Sequence, residues 1–253
     1  MSTSTLQTVV RREDVMGTVV SLHVDAPTED VAHGAVAAAV VRLHELDAML
    51  SLWRTDSPAT RLRAGALLER DAPPELREVL ETCRTVSELS GGWFDAWAMP
   101  GGVDPTGLAK GWVLESVADQ LRDEGCTSAI VNGGGDVAFV GAPPAPEGWR
   151  TGVQHPWRRG GLAAIVVVTS AIATSGSYER GPHLIDPRRG TPSLAAASAT
   201  VVGERLAIAD GLATGLAVGG DDALEVLESA PGYEGYLIRA DGTEVATAGF
   251  PFA

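Results

Sequence analysis

Asp210 and Thr214 stand four positions apart in AIADGLATGL, residues 207–216. The run is otherwise apolar and helix-friendly, and residues i and i+4 of a helix lie on one face, one above the other. A carboxylate and a hydroxyl are thus stacked beside apolar neighbours. Both are hard oxygen donors of the kind that Mg²⁺ and Ca²⁺ select, and Mg²⁺ commonly pairs one or two protein carboxylates with substrate phosphates. The same two residues also suit a plain structural duty, an N-cap Asp and a Thr bonding back to a carbonyl. DPTGLAKGW (104–112) ends a loop and opens a helix. The free N–H groups of a helix start suit anions. Lys110 would add positive charge near a phosphate, and Asp104 would accept from a sugar or base; an ordinary cap with a solvated lysine uses the same residues.

HLIDPRRGTP (183–192) places His183, an acid and two arginines in one loop shaped by Pro187 and Gly190. Histidine titrates near neutral pH and suits a general base; a solvated surface histidine is the alternative. VNGGGDVAFVG (131–141) sets three glycines between two strands. They let the backbone take positive φ and a ligand approach closely, or they make a hairpin turn. No helix follows them at the spacing of a dinucleotide fingerprint. GGWFDAW (91–97) clusters rings beside Asp95, which suits a flat ligand such as a flavin or a base, or simple core packing.

Elements must hold these residues in place. Alternation in MGTVVSLHV (16–24) predicts a strand. PTED opens a helix through Met49, and further helices are expected over 73–89, 107–124, 207–217 and 223–229. Ser51 to Pro58 reads as a loop. Strand, turn and strand are expected over 128–140, strands over 149–154 and 162–169, a strand starting at Ile172, another ending near Val202, and a hairpin around Asp241-Gly242. Long helices first and a β-rich second half favour an α+β fold over regular βαβα alternation.

The 253 residues are 45% hydrophobic, enough for a sizeable core, and are read as one domain over 1–253. A net charge of −14 argues against nucleic-acid binding, since phosphates need Lys and Arg opposite them. Any phosphorylated substrate would then need a local cation. Cys83 and Cys126 form no CxxC pair and read as reduced core thiols. No signal-like h-region opens the sequence and no membrane span is visible, so a cytoplasmic location is expected.

The order of the motifs adds what none carries alone. MGT (16–18), SLWRTDSPATRL (51–62), GGWFDA (91–96), TGLAKG (106–111), NGGGDVAFVG (132–141), ATSGSYER (173–180), HLIDPRRGTP and ADGLATGL follow one another along nearly the whole chain. In this the sequence resembles the ApbE family, the FAD:protein FMN transferases. The resemblance implies a compact α+β molecule of two packed lobes, with mixed or antiparallel sheets, flanking helices and the flavin in the cleft. It implies Mg²⁺, FAD as substrate, and transfer of FMN to a Ser or Thr hydroxyl of an acceptor flavoprotein with release of AMP. Some members instead hydrolyse FAD to FMN and AMP, and a non-catalytic FAD-binding protein is the third reading of the same residues. Position by position it implies Asp210, Thr214 and the Gly107 carbonyl as metal ligands, with the Ala213 carbonyl a further candidate. Met16, Trp53, Trp93, Phe94, Asp95, Asp104, Lys110 and Ile185 fall on FAD contacts, and His183 on the general base. Three features depart from the family pattern. The segment between GGWFDA and TGLAKG is short, Ser177 stands where many members have Asp, and Arg63 where many have Asn.

Overall fold

The computed structural model describes residues 6–176 and 184–253. Its frame is an eight-stranded antiparallel sheet in the order β1 (Gln7–Val15), β2 (Thr18–Ala26), β3 (Ser128–Gly133), β4 (Asp136–Val140), β7 (Ala171–Ser175), β10 (Ala196–Gly203), β11 (Tyr233–Arg239) and β12 (Glu244–Ala246). Two strands occupy the first hairpin, where the sequence pattern showed one. Met16 and Gly17, expected to begin a strand, are its turn, with φ of 55° and 68°; positive φ at both central residues matches the right-handed twist of the flanking strands.

Alternation sends each strand's side chains to two different cores. On one face Val20, Leu22, Val131, Ala173, Ala199 and Val201 pack with helices α1 (Glu29–Leu50), α3 (Pro74–Leu89), α4 (Thr106–Asp123) and α5 (Leu206–Gly219). On the other, Val137, Ile172, Val202, Tyr236 and Ile238 pack under the hairpin of β5 (Trp149–Gln154) and β6 (Leu162–Val168). The two packed lobes are therefore two cores sharing one sheet. Cys83 and Cys126 are free thiols in the helical core, and burial pushes both thiols up from their ordinary range. Among the described residues, no helix is long and apolar enough to cross a membrane.

Helix α5 reaches its place through small residues. A Cβ on Gly211 would stand 2.7 Å from Val86, one on Gly215 3.4 Å from Ser90 and from the Phe94 amide, and one on Gly219 2.4 Å from the Trp93 ring. Spaced four apart, these glycines make a flat ridge against which the end of α3 and the Trp93-Phe94 turn lie. The rings sit beside α5 because nothing projects between them.

A six-residue helix, α2 (Pro58–Arg63), follows the loop after α1. It is too short to show a helical period, but Ser57 and Pro58 are ordinary start signals. The buried Ser57 hydroxyl donates to the Ser51 carbonyl at 2.6 Å and accepts from the Thr60 amide at 2.9 Å. Ser57→Ala is expected to cost about 1 kcal/mol, because it removes the cap on the Thr60 amide while the Ser51 carbonyl keeps the Thr60 hydroxyl at 3.3 Å. Urea denaturation would measure it.

Candidate flavin site

Helices α4 and α5 cross so closely that the Gly111 amide donates to Asp210 Oδ2 at 2.8 Å. Asp210 is only 3% exposed. Burial pushes its carboxyl above the ordinary range, while the Lys110 ammonium and the Gly111 N–H pull the other way. One turn on, Thr214 donates its hydroxyl to the Gly107 carbonyl at 2.9 Å and lies 3.2 Å from the Ser175 hydroxyl. The i, i+4 stack thus spans the helix crossing, with Asp210 buried and Thr214 half-buried.

Lys110 reaches between two acids. It pairs with Asp136, whose side chain is fully buried at the start of β4, and it acts on Asp210 from the same position. Asp136 Oδ1 accepts from the Thr174 amide at 3.0 Å. The expectation of a lysine offered directly to a phosphate is thus refined: its charge is already shared with buried carboxylates. Lys110 is also the only lysine of the chain. A compact ammonium on a flexible stem can act on two carboxylates from one position. Lys110→Met would leave Asp136 buried without its ion partner, and a loss of about 3–5 kcal/mol is expected from the denaturation midpoint.

These groups open onto a cleft of about 400 Å³. The cleft brings together Trp93, Phe94, Asp95, Asp104, Gly107, Lys110, Ile185, Asp210 and Thr214, and adds Arg63, Met99, Pro100, Thr106, Ser175 and Leu184. It does not include Met16, at the first hairpin turn, or Trp53, which is 97% exposed in the loop after α1. Ala213 is fully buried in the helical core and is not part of the lining. His183 and Ser177 lie outside the described residues. Trp93 also carries the Arg188 guanidinium over its ring at 3.5 Å, and Arg188 donates to the Gly91 carbonyl at 3.0 Å. The turn between the short strands β8 (Ile185–Asp186) and β9 (Thr191–Pro192) is thereby tied to the ring wall. Asp104 Oδ1 accepts from the Thr106 amide at 3.0 Å, and its Oδ2 pairs with Arg63, so this acid organises the start of α4.

Asp136 and Arg63 were not singled out as site residues by sequence. A signal for each existed: the acid closing the NGGGD run, and a basic residue where the motif has another type. Among the described residues, no group of three or more His, Cys, Asp or Glu gathers as a metal cluster. The donor set at the cleft is the buried Asp210 carboxylate, the Thr214 hydroxyl and the Gly107 carbonyl. It is all oxygen, and it fits a hard divalent cation that completes its shell with water and phosphate.

The model of the ApbE family matches residues 16–101 and 97–237. The chain belongs to the ApbE family. The two matched stretches overlap at 97–101, within the segment that borders the cleft. The chain is 36% identical over 131 residues to the FAD:protein FMN transferase of Vibrio cholerae, covering 47% of this chain and 39% of that protein. With the FAD:protein FMN transferase of Rhodobacter capsulatus it shares 27% over 213 residues, covering 79% and 39%. The matched stretches thus span about two fifths of these relatives' length. The solved flavin transferase ApbE from Vibrio cholerae superposes with a TM-score of 0.81 at 22% identity, over 97% of this chain and 99% of that one. The ApbE protein from Thermotoga maritima gives 0.82 at 20%, over 96% and 97%. These likenesses make the fold that of the ApbE proteins.

Proposed function

We propose that this chain is a Mg²⁺-dependent FAD:protein FMN transferase, moving FMN from FAD to a Ser or Thr hydroxyl of an acceptor flavoprotein and releasing AMP. The observation that carries the reading is the meeting of Asp210, Thr214 and the Gly107 carbonyl at the floor of a cleft walled by Trp93 and Phe94. The names of the relatives point the same way.

In this reading Asp210, Thr214 and Gly107 hold the cation. Bound there, Mg²⁺ supplies charge neutralisation at the pyrophosphate. The chain's own residues do the rest. Trp93 and Phe94 offer flat apolar surface to a ring. Lys110 contributes positive charge beside the cation site and keeps Asp136 paired. His183 takes the proton of the acceptor hydroxyl, a poor nucleophile at neutral pH, as its oxygen bonds to the FMN phosphorus and the bond to the AMP oxygen breaks. The overall charge of −14 is compatible with a dianionic bridge because a bound divalent cation would supply the positive charge locally.

The test is AMP release from FAD with Mg²⁺, with an EDTA control, with and without a purified acceptor flavoprotein. AMP that appears only with acceptor, with flavin fluorescence retained on the denatured acceptor, supports the transferase. AMP without acceptor would make the protein a hydrolase, and no AMP in either tube would refute both. His183→Ala should slow transfer by about 10²-fold or more and leave FAD affinity nearly unchanged; equal loss of both would remove it as the base.

A further inference from the structure

We infer that Arg63 is a positioning residue that straps the rim of the cleft and thereby sets its affinity for FAD; the inference rests on the function proposed above. Arg63 ends α2 and reaches across 41 positions of sequence to pair through Nη1 with Asp104. Its Nη2 donates to the Pro100 carbonyl at 2.5 Å. The backbone closes on it as well. Gly102 has φ of 111°, and a Cβ there would stand 2.4 Å from the Arg63 carbonyl oxygen. A Cβ on Gly101 would stand 3.3 Å from Nη2.

The strapped segment is a loop pinned at its base, where the Asp104 amide donates to the Ala96 carbonyl at 2.8 Å. Between those residues it makes few bonds of its own: Asp95 Oδ1 accepts from the Trp97 and Ala98 amides, and Gly102 N bonds the Met99 carbonyl. Met99 and Pro100 face the cleft. The other arm of the strap runs inward. Asp104, held by Arg63, accepts from the amide and hydroxyl of Thr106 at 3.0 and 2.5 Å, and so fixes the first turn of α4, where the Gly107 carbonyl lies. One guanidinium therefore sets the outer rim and, through Asp104, the start of the helix that forms the floor. Arginine suits this because its planar fork addresses two acceptors at fixed geometry; lysine presents one point charge.

Three readouts test the strap: amide hydrogen exchange of the ligand-free protein, FAD affinity by flavin fluorescence, and steady-state kinetics. In Arg63→Ala, exchange over 97–104 should accelerate at least tenfold while the sheet stays protected. FAD Kd and KM should rise roughly tenfold to a hundredfold, with kcat at saturating FAD within about threefold, since bound substrate restores the rim. Arg63→Lys should recover part of the affinity. Gly102→Ala, which alters no charge, should raise KM in the same way. Arg63→Ala and Asp104→Asn together should weaken binding by less than the product of the two single effects. Unchanged FAD affinity in both Arg63→Ala and Gly102→Ala, or a fall in kcat at constant KM, would overturn the inference. A wild-type protein that binds no FAD would refute the functional reading instead. The exchange data then decide the strap alone: acceleration over 97–104 upholds it, and its absence overturns it.

Discussion

Asp210→Asn should abolish Mg²⁺-dependent AMP release while leaving the metal-free protein at least as stable as the parent. The activity loss is expected at 10²–10³-fold or more, because a cation at a phosphoryl centre is worth several kcal/mol and each 1.36 kcal/mol is about tenfold. The stability result runs the other way. Asp210 is buried, and burial raises its carboxyl pKa. A carboxyl that holds its proton more tightly when folded than when unfolded loses stability as pH rises from the ordinary carboxylate range through its folded pKa. An amide has no such penalty, and its oxygen can still accept from the Gly111 amide. Lys110 retains Asp136. Melting the metal-free protein from pH 4 to 8 should show a downward slope in the parent that is smaller in Asp210→Asn. An active Asp210→Asn enzyme would remove Asp210 as the carboxylate ligand, and one that melts well below the parent across that range would overturn the burial argument.

Gly111→Ala should be strongly damaging to the helical layer. The new methyl carbon would stand 2.6 Å from Asp210 Cβ and 2.7 Å from the Leu206 carbonyl oxygen. Neither is the far end of a flexible chain, so α4 and α5 must separate. Overpacking of this kind costs about 1–3 kcal/mol or more, against a gain of about 1 kcal/mol in helix propensity. With backbone as the obstacle, a net loss of about 2 kcal/mol and a Tm drop of roughly 5 °C are expected. Activity should fall further than stability, because the separation pulls Asp210 from Gly111 and Thr214 from Gly107. Gly34→Ala is the control: Gly34 is exposed in α1 with nothing within 4 Å of an added Cβ, so the same exchange should stabilise by about 0.4–1 kcal/mol. Equal effects at the two sites would show that the crossing tolerates the methyl.

Much of this arrangement could be read from the sequence. The α5 stretch carried its helical character, its acid and its hydroxyl in ten residues. The start of α1 was legible because Thr28 accepts from the Val31 amide, the bond that a helix-opening threonine makes. The NGGGD stretch showed its strand–turn–strand form through its glycines. What escaped was non-local or unpatterned. β1 is an edge strand with little buried surface, so it has no apolar alternation to display. α2 is shorter than two turns. The link from Lys110 to Asp136 joins residues of two separate elements, and that from Arg63 to Asp104 spans 41 positions; periodicity is blind to both. Trp53 was drawn in by motif position, yet its ring stands in solvent in the loop after α1.

The solitary lysine gives the molecule a chemical handle. Eighteen arginines carry the rest of its cationic charge, and guanidinium groups are inert to the acylating and aldehyde reagents that attack amines. Lys110 is about a quarter exposed at the cleft and is held against the buried Asp136 carboxylate. Side-chain acylation would therefore report on one place in the whole chain. Its rate would follow the state of that place: slow where the ion pair is intact, slower still beneath a bound nucleotide, and fast once the crossing of the two helices has been loosened.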